Sequence, residues 1–214
     1  MEGKKDHSVA YRVTVNGLTG GHSGTEIHKG NVNANKLMGR FLYDLEKDLM
    51  YRISSVCGGE KDNAIPSSCE VELIFDADEE EKFLTMLSDL SSVYQEEFRS
   101  SDSGMKWEAL KLKEAPKKAL RMTDKEKVIF LLVNLPNGVQ RMSREIDGLV
   151  ETSLNLGRVF MEEGCVTFIL SVRSSVKSAK AEIIDRIRYM IEFMGGEAEI
   201  SGDYPAWEYK KRCV

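Results

Sequence analysis

Hydrophobic period along residues 9–112 runs in an order that few folds accommodate. Val9, Tyr11, Val13 and Val15 alternate on one side of a predicted strand. Ala34, Leu37, Met38, Phe41, Leu42, Leu45 and Leu49 then recur at helical spacing over residues 33–50. Residues 51–57 predict a second strand, stopped by Gly58-Gly59, and residues 69–75 alternate as a third. Asp78 to Glu81 opens a second helix with acidic side chains at the positive end of its dipole. That helix runs through Phe83, Leu84, Leu87, Leu90 and Tyr94 to about Phe98, and residues 106–112 predict a fourth strand. The order β-α-β-β-α-β is the ferredoxin-like pattern, an antiparallel sheet with its helices on one face.

The remainder reads as a worn second copy. After a polar joint at Glu114 to Lys118, Thr123 with Glu126 three residues on forms a capping box for a helix ending before Pro136. Pro136-Asn137-Gly138 is a turn. Residues 149–161 and 165–173 predict two strands joined by a hairpin at Glu162-Glu163-Gly164. Residues 178–194 are an amphipathic helix stopped by Gly195-Gly196, and residues 197–201 a short last strand. The first strand of this copy is absent or reduced to residues 119–122. The expected fold is therefore α+β: two ferredoxin-like (βαββαβ-type) halves, residues 1–116 and 117–203, joined edge to edge in one antiparallel sheet with helices packed on one face.

Composition narrows the function. At 42% hydrophobic the chain can build a core. Its longest apolar runs, residues 128–133 and 166–170, are far below the roughly 20 residues of a membrane-spanning helix. Met1 to His7 has no apolar segment of the signal-peptide kind, so a cytoplasmic protein is expected, with no membrane partner. A net charge of −5 argues against a nucleic-acid surface, and acidic Glu70 and Glu72 on a central strand argue against RNA binding. Cys57, Cys69, Cys165 and Cys213 include no C-x-x-C pair and read as reduced thiols. His7, His22 and His28 sit in no metal-ligand pattern, so no metal site is expected within this chain.

Gly17, Gly20, Gly21 and Gly24 surround His22 in the most unusual segment, whose backbone can approach a ligand closely. Neither a Walker lysine nor dinucleotide-type glycine spacing is present. Taken alone, the segment is a glycine turn with an exposed histidine. Asn63 alone is a turn residue. Arg173, where an apolar strand hands over to Ser174-Ser175, can fork onto a carboxylate, although such residues more often sit at a rim. The acidic runs at 78–81, 96–97 and 162–163 are explained by helix ends and a hairpin, and Trp107 and Trp207 by core or rim packing.

His22, Asn63 and Arg173 each fall within a longer motif. Residues 13–24, ending Gly20-Gly21-His22-Ser23-Gly24, and Asn33-Ala34-Asn35 resemble the opening of the lid domain in the M20 metallopeptidases, more narrowly in their aminoacyl-histidine dipeptidase branch. Gly58-Gly59 with Asn63-Ala64-Ile65-Pro66, residues 148–157, and Ser171-Val172-Arg173 resemble further lid motifs, in order along almost the whole chain. Tyr204-Pro205-Ala206-Trp207 resembles the place where the lid returns to the catalytic domain, so residues 204–214 are expected to be that return segment.

The resemblance implies a lid cut from a larger hydrolase. Its separate catalytic domain holds two divalent metal ions, normally zinc, and the general base; this chain alone is expected to bind no metal and to be inactive. His22 would stabilise the oxyanion of the hydrolysed peptide bond. Asn63 and Arg173 would hold the C-terminal carboxylate of a dipeptide substrate, and Gly20, Gly21 and Gly24 would let the loop approach. The partners implied are that dipeptide, the chain's own catalytic domain and, through the lid, a second subunit. The competing expectation is a standalone ferredoxin-like module that binds amino acids or dimerises without catalysis.

Overall fold

The computed structural model describes residues 7–202; the Tyr204 to Trp207 motif, Cys213 and the rest of the 204–214 segment lie outside them. In chain order the elements are β1 (Ser8–Asn16), β2 (Gly21–His22), α1 (Ala34–Glu46), β3 (Tyr51–Gly58), β4 (Ala64–Ile65), β5 (Cys69–Asp76), α2 (Glu80–Glu97) and β6 (Lys106–Lys111). There follow α3 (Met122–Asn134), β7 (Gly138–Met142), β8 (Val150–Glu162), β9 (Cys165–Ser174) and α4 (Lys177–Phe193).

The first six of the long elements form the expected ferredoxin-like unit. Their strands lie in the order β6-β1-β5-β3, with every neighbour antiparallel. The chain leaves β1 through α1 and returns as β3 one place further out, leaving the gap that β5 fills. Val13, Val15, Ile53, Val56, Val71 and Leu73 bury one sheet face with Phe41 and Leu42 of α1 and Phe83 of α2. Each such side chain removed from water contributes about 1.5–3 kcal/mol. Trp107 closes this core against Phe41 and Tyr94. The other face of the central strands is charged and internally paired, Arg12 reaching Glu72 at 2.7 Å and Glu70 at 3.3 Å.

A seam joins the remaining elements to this unit. β8 pairs β3 at Cys57–Phe160 and Gly58–Val159, extending the sheet edge to edge. β9 follows one edge of β8 from Thr152 to Glu162, while β3 and β7 share the other. α3 lies beside α1, with Gly39 facing Leu132. Lys125 of α3 is buried, its Nζ 2.6 Å from Glu46 and 4.6 Å from the Tyr51 ring centroid. The Lys36 ammonium donates to the carbonyls of Val133 and Leu135, capping the end of α3.

The hairpin between β8 and β9 turns on Glu163 and Gly164, both at positive φ, as a two-residue connection requires. Two local expectations fail, at Thr123 and at residues 197–201, and β7 is unforeseen; of the two alternatives for residues 119–122, the absence of a strand holds. Residues 119–122 form no strand; Leu120 instead donates its amide to Ile53, and Met122 begins α3. The capping box at Thr123 is absent, because the helix begins two residues earlier than such a cap would start it, at Met122, with Arg121 as an N-cap that makes no side-chain bond. The turn at Pro136 to Gly138 leads directly into β7, a polar strand without hydrophobic alternation, which pairs the start of β8. Residues 197–201 form no strand. In the first unit β6 pairs β1; this part of the chain has no counterpart of β1, so its last segment has no ladder to join.

Candidate functional site

Beyond β1 the chain makes a loop closed at both ends by one buried carboxylate. Asp102, 1% exposed, accepts the Thr19 amide at 2.8 Å through Oδ1 and the Val32 amide at 3.1 Å through Oδ2. Asn31 crosses the loop to the Gly20 carbonyl at 2.6 Å. Gly20 and Gly21, at φ 63° and 128°, carry the chain through a conformation closed to most side chains and deliver His22 to the short β2 strand.

β2 pairs β4 in a two-stranded sheet of its own, with Gly21 opposite Ile65 and His22 opposite Ala64. The ladder continues through the Ser23 amide to the Asn63 carbonyl at 2.9 Å, so the segment bearing His22 lies beside the one bearing Asn63. Arg173 comes from the far end of β9. A methyl group placed on Gly24 would stand 3.0 Å from His22 Cε1 and 3.1 Å from Arg173 Cζ, so both side chains close on this one glycine. His22, Asn63 and Arg173, some 150 residues apart in sequence at the extremes, are thereby brought to one exposed place. Gly24, Asp62, Asn63 and Arg173 border an open groove of about 2070 Å³ running along β9.

The imidazole is oriented. His22 Nδ1 accepts the amides of Gly24 at 3.1 Å and Thr25 at 3.2 Å, with the Thr25 hydroxyl at 3.3 Å. Two amide donors on Nδ1 place the proton of the neutral ring on Nε2, which makes that nitrogen a hydrogen-bond donor. The His22 amide donates to Glu26, whose carboxyl is held below its usual range by Lys29 and then by that amide. Among the described residues no carboxylate pairs with Arg173. The cluster therefore offers an imidazole N–H and a guanidinium fork to an anionic ligand.

It does not suit a metal ion. Nδ1 is committed to amides, Nε2 carries the proton, and a guanidinium stands alongside. Elsewhere His7, Asp76 and Asp78 bring ligand atoms within 4.8 Å of one another, but all three are exposed, and Asp76 accepts the Asp78 amide. Exposed acidic groups of this kind are common without an ion.

Sequence reasoning passed over the residues that frame the cluster. Asp102 was hidden in a polar Ser-Asp-Ser-Gly turn. Asn137 read as part of a turn, and Asn155 as one letter of a motif. An asparagine between Leu154 and Leu156 in an apolar strand is itself a signal, because a buried amide needs partners. Asn155 finds them in the Ala64 carbonyl and the Asn33 amide.

Comparison with known proteins adds three findings. Residues 8–102 match the peptidase dimerisation domain of the M20 type. The chain is 34% identical over 200 residues to the cytosol non-specific dipeptidase of Escherichia coli (strain K12), covering 92% of this chain and 41% of that protein. Its fold superposes on the crystal structure of aminoacylhistidine dipeptidase from Vibrio alginolyticus with a TM-score of 0.92 at 32% identity, over 97% of this chain and 42% of that one. The chain thus spans about two-fifths of the length of the relatives it matches.

Proposed function

Since this chain carries the M20 peptidase dimerisation domain and is built like the lid of a dipeptidase, we propose that it is the substrate-clamping lid of a metal-dependent dipeptidase of the Xaa-His type. The observation that carries the reading is the closing of His22 and Arg173 on Gly24, with the imidazole proton on Nε2. In a closed, dry site that N–H donates to the oxyanion formed as the peptide bond is attacked, an interaction worth about 3 kcal/mol. Arg173 forks onto the free C-terminal carboxylate, with Asn63 alongside, and so fixes the substrate's length. Gly20, Gly21 and Gly24 keep the loop slim enough to come down on the substrate.

Two divalent metal ions, normally zinc, would belong in this reading to the catalytic domain, where the chemistry they would supply is Lewis acidity toward water. Residues 1–116 and 117–203 are the two copies of a doubled lid; apart from the short β4 and the extra strand β7, the order of helix, strand hairpin and helix recurs as α1-β3-β5-α2 and α3-β8-β9-α4, which supports that division. The chain by itself is inactive. The whole enzyme is cytoplasmic, a location supported by a cytosolic relative. It pairs as a homodimer, for which the dimerisation-domain match speaks.

With the catalytic domain attached, His22→Ala should lower kcat by about a hundredfold or more with little change in KM. Arg173→Ala should raise KM and admit peptides whose C-terminus is amidated. Unchanged kinetics in both variants would sink the assignment, and micromolar binding of a single amino acid by the isolated chain would favour the standalone module instead.

A further inference from the structure

The two ends of the clamp stand on different parts of the fold. His22 lies on the β2–β4 pair, which has no strand ladder to the main sheet, and Arg173 lies near the end of β9. Backbone bonds tie the β4 segment to its own unit, from the Leu18 amide to the Ser67 carbonyl and from the Ala34 amide to the Pro66 carbonyl, so its spacing from β9 depends on what side chains add across to β8 and β9. Asn155 of β8 is 1% exposed and touches both sides of the problem. Its Nδ2 donates at 2.8 Å to the carbonyl of Ala64, the residue paired with His22. Its backbone is paired with Ser171, two residues before Arg173 on the same strand.

The amide cannot turn round. Asn155 Oδ1 accepts Asn33 Nδ2 at 3.1 Å, and Asn33 is fixed by capping α1 through the amides of Asn35 and Lys36. Asn33 Nδ2 also reaches the Leu156 carbonyl at 3.0 Å and Asn137 Oδ1 at 3.1 Å, while Asn137 Oδ1 accepts the Leu156 amide at 2.9 Å. A side chain with one donor aimed at Ala64 and one acceptor aimed at Asn33 is what the position demands. The only parallel side-chain bond described between β9 and this loop, from the Ser171 hydroxyl to the Asp62 carbonyl at 2.8 Å, is solvent-exposed and so open to competition from water.

We propose that Asn155 is a positioning residue that sets the spacing between the His22 imidazole and the Arg173 guanidinium, and with it the length of peptide the clamp accepts. The proposal rests on the clamp reading above. Asn155→Ala removes the link to β4, whereas Asn137→Ala disturbs the same network without touching β4. In the enzyme with its catalytic domain, Asn155→Ala should reduce kcat/KM for a Xaa-His dipeptide by about tenfold to a hundredfold, the scale of an ångström of misplacement. The value for the tripeptide extended by one C-terminal residue should fall less, shifting selectivity toward the longer substrate. Asn137→Ala should leave the ratio of the two at its wild-type value, even if its Tm drops. If Asn155→Ala does not fold, Asn155→Ser, which keeps a hydroxyl for Asn33, is read by the same ratio.

A second measurement needs only the present chain. Amide exchange at Ser23, whose N–H closes the loop onto Asn63, should quicken in Asn155→Ala and not in Asn137→Ala. Equal losses on both peptides, or Ser23 exchange unchanged in Asn155→Ala, would overturn the positioning role. A wild-type enzyme that cleaves no dipeptide would instead remove the clamp reading, and the exchange experiment would still decide whether Asn155 holds the loop.

Discussion

The two parts of the sheet are built to different standards. In the β1–β6 unit, β1, β3 and β5 alternate between sealed and polar positions, and α2 buries Phe83, Leu87 and Tyr94. Beyond the seam, no residue of β9 is fully buried, and α4 buries only Ala179 and Ile183. Several large residues of the second part that are sealed from water, Ile129, Leu132 and Leu156 among them, belong to the core cluster of the first unit. The second part therefore leans on the first for its stability, yet it carries Arg173. In the clamp proposed above, the side carrying Arg173 would be drawn from a strand with no fully buried residue, the kind of element in which mobile binding segments are generally found.

The largest test of that contrast is a pair of truncations. Phe41→Ala, in a fully sealed site against Trp107, should cost about 3–5 kcal/mol in urea denaturation. Phe168→Ala on β9, only partly buried, should cost about 1–2 kcal/mol, because water already reaches the side chain. Equal costs would erase the difference between the two parts. Next comes the seam. Lys125→Ala leaves Glu46 without its partner and opens space beside Tyr51. Loss of a fully buried pair costs about 3–5 kcal/mol, but Glu46 remains 31% exposed, so about 2 kcal/mol is expected. That loss should appear as earlier melting of α3 through α4, followed by hydrogen exchange, with the β1–β6 unit still protected.

The same contrast decided what could be read from the sequence. The first unit was legible because burial on one face imposes a period of two on β1, β3 and β5 and a helical period on α1. β7 was not, since three of its five residues are exposed and no alternation marks it. Residues 197–201 misled for the opposite reason: Ala198 and Ile200 alternate, but a strand needs a neighbour as well as a pattern, and Ile200 is 54% exposed. In the cluster, His22, Asn63 and Arg173 could be chosen only through a family resemblance, since each alone has an ordinary explanation. Their approach is a long-range property, made by the β2–β4 ladder and the Gly24 contact, which no local pattern announces. Asp102 and Asn155 escaped because a buried polar group is defined by what surrounds it.

A smaller test concerns the cap that ties α1 to α3. Burial pushes the Lys36 ammonium down to about 8 from its ordinary value of 10.5. In the unfolded chain the amine regains its ordinary affinity, so between about pH 8 and 10.5 the unfolded state binds more protons than the folded one. Stability gained from this group should therefore rise with pH across that window and be flat below it. Lys36→Met removes the titrating group, so the difference in unfolding free energy between wild type and variant should move in favour of wild type as pH climbs from 8 to 10.5. A difference that stays constant would mean that the two carbonyls hold the charged form as well as water does.

The smallest effect separates two helix starts. Asn33 begins α1 with its side chain on the amides of Asn35 and Lys36, whereas α3 begins at Arg121 with no side-chain bond. Replacing a working cap costs about 1 kcal/mol, up to about 2. Thr123, which the sequence marked as a cap, lies inside the first turn of α3 and is exposed. Thr123→Ala should thus change stability by no more than about 0.5 kcal/mol, the scale of an ordinary exposed substitution, and alanine's better helix propensity makes a slight gain the expected sign. A loss near 1 kcal/mol would place the helix start at Thr123 in solution. α3 would then begin about two residues later, at Asp124, with Lys125 and its contact to Glu46 at the very start of the helix.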